Sequence, residues 1–90
     1  MKFKRRDDGV TVYAQLWNGE PERAHTITNW GMGCIINGFD STLLIFNPDG
    51  TRSTAFFGYW IVEYPEGFFT AYAPKDFTEA FERIKSKSVA

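Results

Sequence analysis

Hydrophobic and polar positions alternate along Val10-Thr11-Val12-Tyr13-Ala14-Gln15-Leu16-Trp17. A period of two, rich in β-branched and aromatic residues, predicts a strand. Asn18-Gly19 ends it. The pattern then lengthens. Pro21 and Glu22 suit the first turn of a helix, and Ala24, Ile27 and Gly31 share one face with Trp30 close by. Thr26-Ile27-Thr28 are weak helix formers, and Gly31 or Gly33 provides the stop. Cys34-Ile35-Ile36-Asn37 predicts a short buried strand closed by Gly38, and Leu43-Leu44-Ile45-Phe46 predicts another. Asn47-Pro48-Asp49-Gly50-Thr51 is a turn, because proline presets φ at its second position and glycine accepts positive φ. It makes a hairpin with Arg52-Ser53-Thr54-Ala55-Phe56. After Gly58, Tyr59 to Tyr64 predicts a strand, Pro65-Glu66-Gly67 a turn, and Phe68 to Tyr72 the antiparallel return. Pro74 opens a last helix in which Phe77, Ala80, Phe81 and Ile84 recur at i, i+3, i+4 and i+7. Glu79, Glu82, Arg83 and Lys85 solvate its other side, and Ser86 to Ala90 form a frayed tail.

These elements describe one α+β domain over residues 1–90. Its expected form is a small, twisted antiparallel sheet of five or six strands. One helix follows the first strand, and the C-terminal amphipathic helix lies across one face. Residues 1–9 read as an arm, basic and then acidic. Doubled rings at Phe56-Phe57, Tyr59-Trp60 and Phe68-Phe69 put aromatics on both faces of the sheet, because neighbours in a strand point opposite ways. If the helices take one face, the other has three fates. It curls into a partial barrel, meets a second copy as a homodimer, or binds something else.

Composition sharpens this. Aromatics make up 18% of ninety residues, with nine Phe, four Tyr and three Trp. Small domains bury a lesser share of their surface, and large rings compensate. Disorder is excluded on the same ground. The formal net charge is only -1, which argues against a strong nonspecific hold on polymeric nucleic acid or an anionic membrane. The charge is nonetheless uneven. The stretch from Asp7 to Glu82 holds all eleven acids and only three bases, Arg23, Arg52 and Lys75, a balance of about −8. The remaining bases lie at the ends, in Lys2, Lys4, Arg5 and Arg6, and in Arg83, Lys85 and Lys87. The ends read as solvated, with a phosphate-touching arm as the sharper alternative. One Cys and one His leave no internal disulfide and no Cys/His zinc site. No apolar run approaches a membrane span, and Asp7-Asp8-Gly9 stands where a signal peptide would carry its apolar core. The expectation is a soluble domain of a reducing compartment, without cofactor or metal.

Candidate chemistry is sparse. His25 would have to serve any triad built on Ser41, Ser53 or Cys34, and no Gly-x-Ser-x-Gly elbow exists. Cys34 sits in an apolar run and reads as an inert thiol. The glycines from Gly31 to Gly38 fit neither a Walker loop nor a dinucleotide fingerprint. Glu63 and Glu66 flank a turn and read as solvated hairpin charges rather than a hydrolytic pair. An enzyme is therefore not expected. Tyr59, Trp60, Tyr64, Phe69 and Tyr72 are candidates for a binding surface with Arg52. Such a platform stacks bases, but polymeric binders interleave it with Lys and Arg, whereas Glu63 and Glu66 are nearer here. A single small nucleotide needs only an aromatic clamp and Arg52.

Several segments carry a family resemblance. Gly58-Tyr59-Trp60-Ile61-Val62, Gly67-Phe68-Phe69, Pro74-Lys75-Asp76-Phe77 and Phe81-Glu82 resemble a pattern in small bacteriophage and prophage proteins. That pattern is Gly-Asp-aromatic-Ile-Ile, Gly, Glu-Phe-Tyr-Pro, Pro-Asp, Phe and Tyr-Glu, as in the domain named for its Pro-Gly-Asp-Tyr-Gly motif. The Met1-Lys2-Phe3 opening, Val10 to Ala14, Trp17-Asn18-Gly19-Glu20 and the Asn47 to Thr51 turn extend the likeness to about two-thirds of the chain. Tyr59 departs from the pattern where the family has Asp, Phe57 where Pro is common, and Ala71 and Ala73 where a Pro and a Lys are frequent. The resemblance implies a phage-encoded protein of the host bacterial cytoplasm and implies no activity. The resulting expectation is a non-enzymatic accessory protein that binds a host protein. The alternatives are a small-nucleotide binder and a minor virion component.

Overall fold

Residues 1–84 are described in a computed structural model. In chain order they form β1 (Lys2–Arg5), β2 (Thr11–Leu16), α1 (Pro21–Trp30), β3 (Ile35–Asn37), β4 (Leu43–Phe46), β5 (Arg52–Ala55), β6 (Trp60–Glu63), β7 (Phe69–Tyr72), α2 (Pro74–Ala80) and β8 (Phe81–Arg83). The α+β class and the antiparallel pairing are as expected. The strands, however, form two sheets, one ordered β7-β6-β2-β1-β8 and the other β3-β4-β5, and neither closes into a barrel. No helix of the described residues is long and apolar enough to cross a membrane.

β6 explains the layering. Ile61 and Val62 are both fully buried, yet they point to opposite faces of the larger sheet. Ile61 joins Ile27, Ile35, Leu43, Ile45 and Phe69 in a largely aliphatic core. That core is closed by α1 and the three-stranded sheet. Val62 joins Phe3, Val12, Ala14, Phe77 and Phe81 in a second core, with Trp60, Tyr64 and Tyr72 partly buried against it. This core is closed by α2. The two helices therefore lie on opposite faces of the sheet, not together on one. The face expected to curl or dimerise is covered from within the chain.

Two further expectations are corrected. Residues 1–9 are not an arm, because Lys2–Arg5 is a strand paired on both sides, to β2 and to β8. Its one apolar residue, Phe3, is buried between Trp60 and Phe77, with ring centroids 5.3 and 4.8 Å away. The C-terminal helix also ends early. Phe81 leaves it in extended conformation and pairs with Arg5 across β1. The apolar period does not reveal the switch, since Phe81 reaches the same core from the strand and stacks on Phe77 at 5.2 Å. The tail from Ser86 to Ala90 lies outside the described residues.

The two sheets are joined at the outer edge of β7, and Asn47 makes the joint. Its carboxamide donates to the Phe69 carbonyl at 2.8 Å and accepts from the Phe69 N–H at 2.9 Å. One side chain thus supplies the two bonds a neighbouring strand would make. Further along, Ser53 Oγ accepts from the Ala71 N–H at 3.3 Å. An edge left open here would be a template for aggregation.

Candidate functional site

The residues singled out in the sequence do not converge on one surface. Phe69 is buried in the aliphatic core. Trp60, Tyr64 and Tyr72 lie on the opposite face, packed under α2. Trp60 stacks on Phe77 at 4.5 Å, and Tyr72 meets Phe81 edge-on at 5.2 Å. The Tyr64 and Tyr72 hydroxyls are hydrogen-bonded to each other. Burial, and then that bond, push the Tyr64 phenol well above its ordinary range. Tyr59 packs partly against the aliphatic core and meets Phe56 edge-on at 5.4 Å. Arg52 stands apart on the outer face of the small sheet, across from Phe46. The clamp of rings around Arg52 is therefore not assembled.

The two basic ends meet instead, because β1 and β8 are neighbours. Lys4 lies 3.5 Å and Arg6 4.0 Å from Glu82, while Arg5 makes a two-pronged pair with Asp8 at 3.0 and 2.6 Å. The Arg5 guanidinium, helped by the Val10 N–H, holds the Asp8 carboxyl down to about 2. Three of the four leading bases are thus paired with two carboxylates at this edge, which disfavours the phosphate-touching reading.

The most exposed rings lie elsewhere, on loops. Phe39 is 89%, Phe57 72% and Phe56 52% exposed. None of the three is in a strand: Phe39 lies in the β3–β4 loop, and Phe56 and Phe57 follow the end of β5. The pairing of Leu43 with Ala55 puts both loops at the same end of the small sheet.

A single buried residue, Trp17, ties them down. Its indole N–H donates to the Ser41 carbonyl at 2.7 Å. Its backbone accepts from the Gly58 N–H at 2.8 Å and donates to the Tyr59 carbonyl at 2.9 Å. The first loop is tightly folded. Asp40 and Ser41 both have positive φ, 55° and 60°, and the Thr42 N–H closes the turn onto the Phe39 carbonyl at 3.1 Å. Successive left-handed residues that are not glycine cost energy and are held only by their surroundings. Here the Thr42 hydroxyl on Phe39 and the Trp17 indole on Ser41 hold them. Gly19, with φ of 81°, lies under Phe57, and a β-carbon on it would come within 2.9 Å of that ring.

Beside these rings runs a groove of about 380 Å³. One wall is the α1 face of Pro21, Ala24, His25 and Thr28, and the other is Asn37, Gly38, Ser41 and Thr42, with Trp17 and Gly19 between them. His25 is exposed, and its ring nitrogen lies 3.3 Å from the Asn29 amide. Cys34 is half-buried against the aliphatic core.

Sequence reasoning missed Phe39 and gave Phe56 and Phe57 to a strand. The available signal was rings standing next to turn residues, in Gly38-Phe39-Asp40-Ser41 and Phe57-Gly58. A ring in a turn has no alternating partner to bury it. Compared with protein-family models, with curated proteins and with solved structures, the chain matches none.

Proposed function

We propose that this chain acts by binding another protein, without catalysis, and that it docks through the end of the small sheet bearing Phe39, Phe56 and Phe57. The observation carrying this reading is the contrast between spent and unspent rings. The domain buries Phe3, Phe69, Phe77 and Phe81 yet leaves three phenylalanines in water on two loops fastened to one tryptophan. Aromatic side chains carried on fastened loops make good binding anchors, because the backbone that presents them is already ordered. Ile36 and Phe46, 47% and 40% exposed on the outer face of the same sheet, extend the apolar area. The phage resemblance, which rests on its motif residues alone, makes a bacterial host protein the favoured partner. With eight Lys and Arg against eleven Asp and Glu, the described residues carry a modest acidic excess that would favour a basic one.

The test compares the chain with a Phe39→Ser, Phe57→Ser variant as baits in bacterial lysate, at low and moderate salt. The expected result is a specific protein retained by the parent chain and lost by the variant, with unfolding midpoints unchanged. If no protein is specifically retained, or the variant holds it equally well, the reading fails.

A further inference from the structure

Resting on the reading that the chain binds a partner protein, we propose that the groove between α1 and β3 receives an extended, basic segment of that partner. The segment pairs with β3 as a fourth strand of the small sheet.

The hydrogen-bond phase of β3 makes an edge available. The Phe46 N–H donates to the Cys34 carbonyl at 2.7 Å and the Gly38 N–H to the Thr42 carbonyl at 2.9 Å. Bonded pairs alternate along an antiparallel ladder, so Ile36 is the residue that bonds Leu44. Ile35 and Asn37 consequently aim their N–H and C=O away from β4. The end of α1 covers Ile35, for a β-carbon on Gly31 would lie only 2.6 Å from its side chain. Asn37 is beyond that cover. It is exposed, and it makes no hydrogen bond outside its own ladder among the described residues. An unpaired donor and acceptor at the lip of a groove with a helix opposite are what an added strand requires. The outer edge of β7, by contrast, is already occupied by Asn47 and Ser53.

Charge selects the occupant. His25 is the only ionisable residue lining the groove. Three acids flank lining residues in sequence, Glu20 and Glu22 on either side of Pro21 and Asp40 before Ser41, all exposed and in no ion pair among the described residues. The nearest base on α1, Arg23, is turned away and donates to the Leu16 carbonyl at 3.1 Å. The residues flanking the groove therefore carry three unpaired carboxylates, which favour Lys or Arg at the alternate positions of an extended segment that point out of the groove.

The experiment selects randomised display peptides of about ten residues against the full chain. The expected winners are Pro-poor with alternating Lys or Arg. On addition they slow amide exchange at Asn37, and backbone N-methylation at every second residue abolishes binding. Neutralising the flanking acids by Glu20→Gln, Glu22→Gln and Asp40→Asn is expected to weaken them by about tenfold or more at low salt. The proposal is overturned if no peptide is enriched, if winners leave Asn37 exchange unchanged, or if that neutralisation has no effect. Self-association that protects Asn37 would make a second copy the occupant and overturn the partner assignment. Loss of lysate binding on Phe57→Ser alongside any of these failures would sink strand addition alone. Strand addition without any dependence on the rings would sink only the ring-mediated docking.

Discussion

The two faces of the five-stranded sheet are closed by opposite means. On one face lies a seven-residue helix, α2, and the space beneath it is filled with rings from Phe3, Trp60, Tyr72, Phe77 and Phe81. On the other lies a whole second layer, α1 and the small sheet, and the core is mostly aliphatic, built on Ile27, Ile35, Leu43, Ile45 and Ile61. A short helix presents little area of its own, so large side chains must reach across the gap. The layer on the other face fills its interior with branched residues, but it has an outer surface and loops as well. That is where Phe39, Phe56 and Phe57 stand in solvent. Rings under α2 therefore hold the fold together, and rings at the end of the small sheet are free for contact.

That division can be broken by mutation. Phe77→Ala removes a ring that touches Phe3, Trp60 and Phe81. It should cost about 3–5 kcal/mol in denaturant titration. Asn47→Ala leaves the buried Phe69 N–H and carbonyl without partners. The expected loss is about 2–4 kcal/mol, together with greater aggregation as the β7 edge opens. A loss below about 0.5 kcal/mol would mean that the sheets are held by the other contacts across the joint. Trp17→Phe keeps most of the apolar volume but removes the donor to Ser41. A cost of about 1–2 kcal/mol is expected, with weaker partner binding, because Phe39 is no longer held.

The hydroxyl pair under α2 offers a pH test. The Tyr64 phenol is raised above its ordinary value of 10.0 in the fold. The folded state therefore holds this proton more tightly than the unfolded chain. Its contribution to stability is full below about pH 10 and is lost as pH rises above it. Tyr64→Phe should flatten the alkaline fall of the unfolding midpoint, and an unchanged slope would contradict the assignment. Phe57→Ser should have the smallest effect on stability, within about 0.5 kcal/mol, while abolishing partner capture. A large loss would place Phe57 with the structural rings.

Much of the chain was legible locally. Leu43–Phe46 is the strand its apolar run predicts, the Asn47 to Thr51 turn joins it to Arg52–Ala55, and α1 starts at Pro21. These features depend on neighbours in sequence: proline fixes φ, glycine accepts positive φ, and alternation selects a face. The candidate surface was not legible. Tyr64 and Tyr72 have the same residue type as an exposed binding ring, and only the packing of Phe81 and its core against them makes them structural.

Residue chemistry and short-range spacing were thus enough to set the class of fold, most element positions, the aromatic surplus and the uneven charge. The partition into two sheets, the change from helix to strand at Phe81 and the use of Asn47 as a substitute strand depended on contacts between distant segments. So did the sorting of rings into buried and exposed. Phe81 leaves its helix to pair with Arg5, and Asn47 grips Phe69 twenty-two residues away. A local pattern records what a segment tolerates. Which surface it meets is decided by the free energy of the assembled chain, where pairing and burial across the fold outweigh the weak preferences of each piece.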